Sequence, residues 1–101
     1  MDAAAPLDIS PTDQGVMLRG EIDAHTAPAL ADALAALTTE RVVIDLSGVD
    51  FVDSSGLRVL IQAHQQADEA GRSLVLARPS TSVRRLLEIS GLNDYLTIDD
   101  G

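Results

Sequence analysis

The sequence has no cysteine and no lysine, and Phe51 and Tyr95 are its only aromatic residues. Without cysteine there is no disulfide, no thiolate nucleophile and no cysteine metal site. With so few aromatics, the core has to be built from Leu, Val, Ile and Ala. The basic residues are seven arginines set against sixteen acidic residues, a net charge of −9. Such a surface argues against nucleic acid and anionic membranes, both of which need clustered positive charge. It favours a partner with a basic face. No apolar run approaches membrane-spanning length and no signal-peptide pattern opens the chain, so the expectation is a cytoplasmic protein. Gly-x-Gly-x-x-Gly and Walker-type loops are also missing, which disfavours a nucleotide-binding enzyme.

What remains is an ordinary globular balance in 101 residues, 46% of them hydrophobic, enough for one domain with one core. Residues 1–6 read as a frayed tail and residues 7–101 as the domain. Leu7 to Ile9 forms a short strand, and Ser10 to Gly15 is rich in turn residues. Val16, Leu18, Gly20 and Ile22 then alternate with Met17, Arg19 and Glu21, the pattern of a half-buried strand that closes a hairpin. Thr26 is placed to cap a helix with Pro28 in its first turn and Leu30, Ala33, Leu34 and Leu37 inward. Val42 to Leu46 reads as a strand covered on both faces, and a turn through Asp50 leads to a helix from about Ser55 to Ala70. Ser73 to Ala77 is a further buried strand. Ser80-Thr81-Ser82 caps a third helix that ends at Gly91 in a Schellman arrangement. Leu96-Thr97-Ile98 supplies an edge strand.

The order β-β-α-β-α-β-α with that last strand predicts an α/β domain. Right-handed crossovers make it a mixed, mostly parallel sheet of four to five strands, with three or more helices packed on it and an N-terminal hairpin.

Chemistry, if present, belongs at Asp53-Ser54-Ser55-Gly56, where a buried strand hands over to a helix. Open α/β sheets place their sites at such strand ends. A helix starting there aims its unpaired N–H groups and dipole at Ser54. The residues alone leave two readings open: Ser54 as a functional hydroxyl, or Ser54 or Ser55 as an N-cap. A hydrolytic nucleophile is disfavoured, since Val52 stands where the nucleophile elbow needs glycine. Neither His25 nor His64 is an evident base. Asp53 reads as a cap or N-terminal charge rather than a metal ligand, and Asp45 as a hydrogen-bonded structural residue. No cofactor and no metal site is expected.

Several segments together resemble one family. They are Leu18-Arg19-Gly20-Glu21-Ile22-Asp23, Thr26-Ala27, Val43-Ile44-Asp45-Leu46-Ser47, Phe51-Val52-Asp53-Ser54-Ser55-Gly56-Leu57 and Val83 to Leu92. In this order and spacing, from about Leu7 to Ile98, they are similar to the STAS domain, and more narrowly to bacterial anti-sigma-factor antagonists. The resemblance implies a non-enzymatic binding module. Unphosphorylated, it would bind an anti-sigma factor that is itself a serine kinase and so free a sigma factor. Phosphorylation of Ser54 would end the complex, and a metal-dependent serine phosphatase would reset it. The partner-binding surface so implied comprises Asp23, His25, Thr26, Asp53, Ser54, Ser55, Gly56, Leu57 and Arg58. Arg58 departs from the family, which often has a small residue there. A phosphate at the head of the helix is expected to be tolerated by the backbone N–H groups while repelling the partner. The free protein is expected to be a monomer. The rival within the fold is a STAS subunit of a stress-signalling complex or lipid-transport system.

Overall fold

The computed structural model describes residues 7–99, so the tail expected over residues 1–6 lies outside them. Strands β1 (Leu7–Pro11), β2 (Gly15–Ile22), β3 (Arg41–Val52), β4 (Ser73–Ala77) and β5 (Thr97–Asp99) alternate with helices α1 (Ala27–Ala35), α2 (Ser54–Glu69) and α3 (Thr81–Ile89) in the expected order. The strands form one sheet in sequential order. β1 runs antiparallel to β2, and every other pair is parallel. This is the mixed α/β sheet the sequence predicts.

Alternation places β2 as expected: Val16, Leu18 and Ile22 are buried, while Met17, Arg19 and Glu21 are exposed. On β3, Val42, Ile44 and Leu46 face the core formed with Leu30 and Leu34 of α1, Leu60 of α2 and Val83 and Leu87 of α3. The expected turn after Leu46 does not exist; β3 continues to Val52. Two irregularities explain the misreading. While β2 advances from Met17 to Arg19, β3 advances from Asp45 to Gly48, and while β2 goes from Gly20 to Glu21, β3 goes from Val49 to Phe51. Each shift inserts one residue into β3, as a β-bulge does. Core residues on β3 therefore change spacing from two to three, at Leu46, Val49 and Val52. A period-two template cannot see such a strand.

The helix ends follow local chemistry. Beyond α2 and α3, Gly71 and Gly91 take φ of +74° and +73°. Arg72 and Leu92 N–H donate to Ala67 and Leu87 carbonyls at 2.7 and 2.9 Å, closing Schellman caps at both ends. Ser80 caps α3, its Oγ accepting from Val83 N–H at 3.3 Å.

The opposite face of the sheet is only partly covered. Val43 there is half-buried, and Asp45 is 5% exposed. Asp45 accepts from Ser47 N–H at 2.9 Å and pairs with the Arg78 guanidinium. Arg78 sits at φ +50°, a conformation side chains rarely adopt. Its N–H donates to Asp99 O at 2.8 Å, which helps hold it there. Burial works to raise the Asp45 pKa, but the Ser47 hydrogen bonds and the Arg78 charge outweigh it, so the carboxyl is held below its ordinary 3.8. A depressed carboxyl stabilises the fold fully above its unfolded value and loses that contribution as pH falls through the folded one. Asp45→Asn should therefore cost about 1–3 kcal/mol at neutral pH. Thermal melts should show this gap to the parent closing below pH 3.8; a gap independent of pH would assign Asp45 a purely steric role.

Candidate functional site

Parallel pairing fixes the site. Ile22, the last residue of β2, lies beside Val52, the last of β3. The β2–α1 loop and the start of α2 consequently emerge side by side from one end of the sheet. Asp53 N–H donates to Ile22 O at 3.0 Å and ties the two together. β4 pairs β3 only from Arg41 to Asp45. Beyond it the start of α3 flanks β3, with Ser80 Oγ donating to Val49 O at 2.8 Å.

Asp53 caps α2. Its Oδ1 accepts from the N–H groups of Ser55 and Gly56 at 2.9 and 3.1 Å, and its carbonyl accepts from Leu57 N–H at 2.9 Å. The cap is thus neither serine, and two of the unpaired donors expected to face Ser54, the N–H groups of Ser55 and Gly56, are already occupied. Ser54 is the first helical residue, exposed, with a hydroxyl that bonds to nothing among the described residues. Ser55 is half-buried. Asp53→Ala should destabilise the domain by about 1 kcal/mol, and hydrogen exchange should quicken selectively at Ser55 and Gly56. Unchanged exchange there would remove Asp53 from its capping role.

Gly56 is buried, and the reason is close approach. A Cβ there would lie 2.6 Å from Ile22 Cγ2 and 2.9 Å from both Ile22 O and Val52 Cγ1. Leu57 is half-buried against the core, while Arg58 is exposed. Arg58 and Ser55 border a shallow cleft of about 280 Å³ whose other wall is Ala24, Ala27, Pro28 and Ala31.

In the adjoining loop, Asp23 Oδ1 accepts from His25 and Thr26 N–H, each at 3.0 Å. Thr26 is buried and holds the expected N-cap position of α1, but its side chain makes no cap there. Its Oγ1 instead donates to Glu21 O and accepts from Asp23 N–H, at 3.0 and 2.9 Å, fastening the loop to β2. His25 is exposed and no hydrogen bond joins it to Ser54. Among the described residues no group of three or more His, Cys, Asp or Glu could hold a metal ion. Nor is any helix there long and apolar enough to cross a membrane.

The structure thus brings Asp23, His25, Ser54, Ser55 and Arg58 to one end of the sheet, with Thr26, Gly56 and Leu57 shaping it from beneath. Phe51 lies outside the expected set of site residues. It is 49% exposed, two residues before the cap, beside a cleft lined by Asp50, Ser82 and Leu86. A lone phenylalanine next to the motif, in a chain this poor in aromatics, was the available signal. A cleft of about 570 Å³ lies elsewhere, around Asp45, Arg78 and Met17, and includes none of the expected site residues.

This fold, with an Asp-Ser-Ser-Gly helix start beside the β2–α1 loop, defines the class. The chain belongs to the STAS domain family; the family model described as "Mlab, STAS domain" matches residues 6–98. Within it, the chain is similar to the anti-sigma-B factor antagonist of Listeria monocytogenes, 37% identical over 86 residues that span 82% of this chain and 75% of that one. It is also similar to the crystal structure of an anti-sigma factor antagonist from Mycobacterium paratuberculosis. The identity there is 28% and the TM-score 0.81, covering 98% of this chain and 92% of the other. SpoIIAA of Bacillus, solved in its phosphorylated form, shares the fold at a TM-score of 0.66 and 19% identity, over 91% of this chain and 89% of that one.

Proposed function

We propose that this chain is an anti-sigma factor antagonist, switched by phosphorylation of Ser54. With a free Ser54 hydroxyl it binds its anti-sigma factor through the end of the sheet that carries Asp23, His25, Ser54, Ser55, Arg58 and Phe51. The observation that carries the reading is Ser54 itself: an exposed hydroxyl at the head of α2, unbonded among the described residues and relieved of capping by Asp53.

The anti-sigma factor is also the kinase. Ser54 Oγ attacks the γ-phosphorus of ATP, ADP leaves, and the hydroxyl proton passes to a base on the kinase. A serine phosphatase later hydrolyses the ester and restores the binding form. The net charge of −9 suits a partner with a basic docking face. The curated relatives favour this reading over a subunit of a stress-signalling or lipid-transport assembly. The domain acts by binding and carries out no chemistry of its own.

Capture from a lysate of the native cell, with the parent and Ser54→Asp as baits, tests the proposal by mass spectrometry. The parent should recover an anti-sigma factor with a kinase domain, and Ser54→Asp should not. Membrane-transport subunits recovered by both baits would overturn it. Phe51 gives the surface an apolar anchor, and truncating such an anchor typically costs more than about 1 kcal/mol of binding. Phe51→Ala should weaken the captured complex roughly tenfold by calorimetry without lowering the melting temperature. Unchanged affinity would place Phe51 outside the contact.

A further inference from the structure

A phosphate on Ser54 finds the donors of the helix start largely taken by the cap. The N–H groups of Ser55, Gly56 and Leu57 already donate to Asp53. That carboxylate is itself a negative neighbour, and Asp23 sits in the adjoining loop. Burying this charge sets it against the adjacent Asp53 carboxylate, with a second acid one loop away. One turn into α2 stands a cation, Arg58, whose guanidinium has no partner among the described residues. Positions four apart lie on one face of a helix, and long side chains lean toward its N-terminus. Arg58 therefore stands one turn from Ser54 on the same face of α2, within reach of a phosphate there.

We propose that Arg58 is the intramolecular partner of phosphorylated Ser54, closing on the phosphate and holding it in the bound-off state. This rests on the phosphorylation proposed above. The guanidinium fork matches phosphate oxygens and forms charge-assisted, bidentate hydrogen bonds. In the unmodified protein Arg58 is free to meet an acidic group of the partner beside the cleft formed with Ala24, Ala27 and Pro28. Once Ser54 is phosphorylated, the same side chain is drawn back. The modification thus adds an anion to the docking surface and removes a cation from it in one step. A small residue at this position would leave only the first effect.

Genetically encoded phosphoserine at position 54 tests this without any kinase. Phosphorus NMR would follow the second ionisation of the phosphate in the full chain and in Arg58→Ala and Arg58→Lys. Model phosphoserine ionises near about 6. The parent should titrate roughly half a unit or more below Arg58→Ala, with Arg58→Lys between them. The parent should also gain melting temperature on phosphorylation, and Arg58→Ala should lose that gain. Unphosphorylated Arg58→Ala should melt with the parent, which separates pairing from general packing. Equal phosphate titration in parent and Arg58→Ala would overturn the role of Arg58 and leave the Ser54 switch standing. Failure of the native kinase to modify Ser54 would instead strike the switch itself.

Discussion

Ser54→Asp should fold like the parent and bind the anti-sigma factor at least a hundredfold more weakly, about 3 kcal/mol. Folding is spared because the side chain is exposed and bonds to nothing among the described residues. Asp53 continues to cap α2. Binding is lost because a new anion beside Asp53 and Asp23 has to be desolvated at the interface against like charges. True phosphoserine, with a charge of about −1.5 to −2, should act more strongly than aspartate. Ser54→Ala should bind normally and persist in the presence of ATP, since no hydroxyl is left to modify. Calorimetry with purified partner checks both variants, and circular dichroism checks the fold. Ser54→Asp bound as tightly as the parent would remove electrostatic release from the account.

Gly56→Ala carries the second large effect, and its sign is the informative part. Inside a helix, replacing glycine by alanine ordinarily stabilises by up to about 1 kcal/mol. Here the added carbon meets Ile22 Cγ2 at 2.6 Å and, at 2.9 Å, the Ile22 carbonyl oxygen. The methyl group can shift; the carbonyl cannot do so freely, because it accepts from Asp53 N–H. Overpacking of this kind costs about 1–3 kcal/mol. The melting temperature should fall by roughly 5–15 °C. The strain pries the start of α2 from β2, so partner binding should weaken as well. A melting temperature equal to or above the parent's would show that α2 is not clamped at Ile22.

The order of elements, the sheet type and the ends of α2 and α3 were legible in the sequence, the last because they rest on local chemistry. Alternation marked Val16 to Ile22, and Gly91-Leu92 marked the end of α3. The second half of β3 was not legible. Its two bulges stretch the core spacing at Leu46, Val49 and Val52, and Gly48 and Asp50 then imitate a turn. At the site, the motif pointed to Ser54, but not to how its surroundings divide the work. Which of three adjacent polar residues takes the cap depends on backbone angles, and Asp53 is the one in an extended conformation before the helix. Thr26 looked like a cap for the same local reasons. It is instead drawn to Glu21 O by the return of the chain from β2. The place of Phe51 depended on where β4 stops, which lies beyond any local pattern.

The most direct test of the central claim is intact-mass and tandem mass spectrometry on this protein after incubation with its anti-sigma factor and magnesium ATP. The account predicts the gain of a single phosphate, located at Ser54, with the complex dissociating in proportion to it. Phosphate at another residue, no phosphate, or a fully phosphorylated protein still bound to its partner would contradict it.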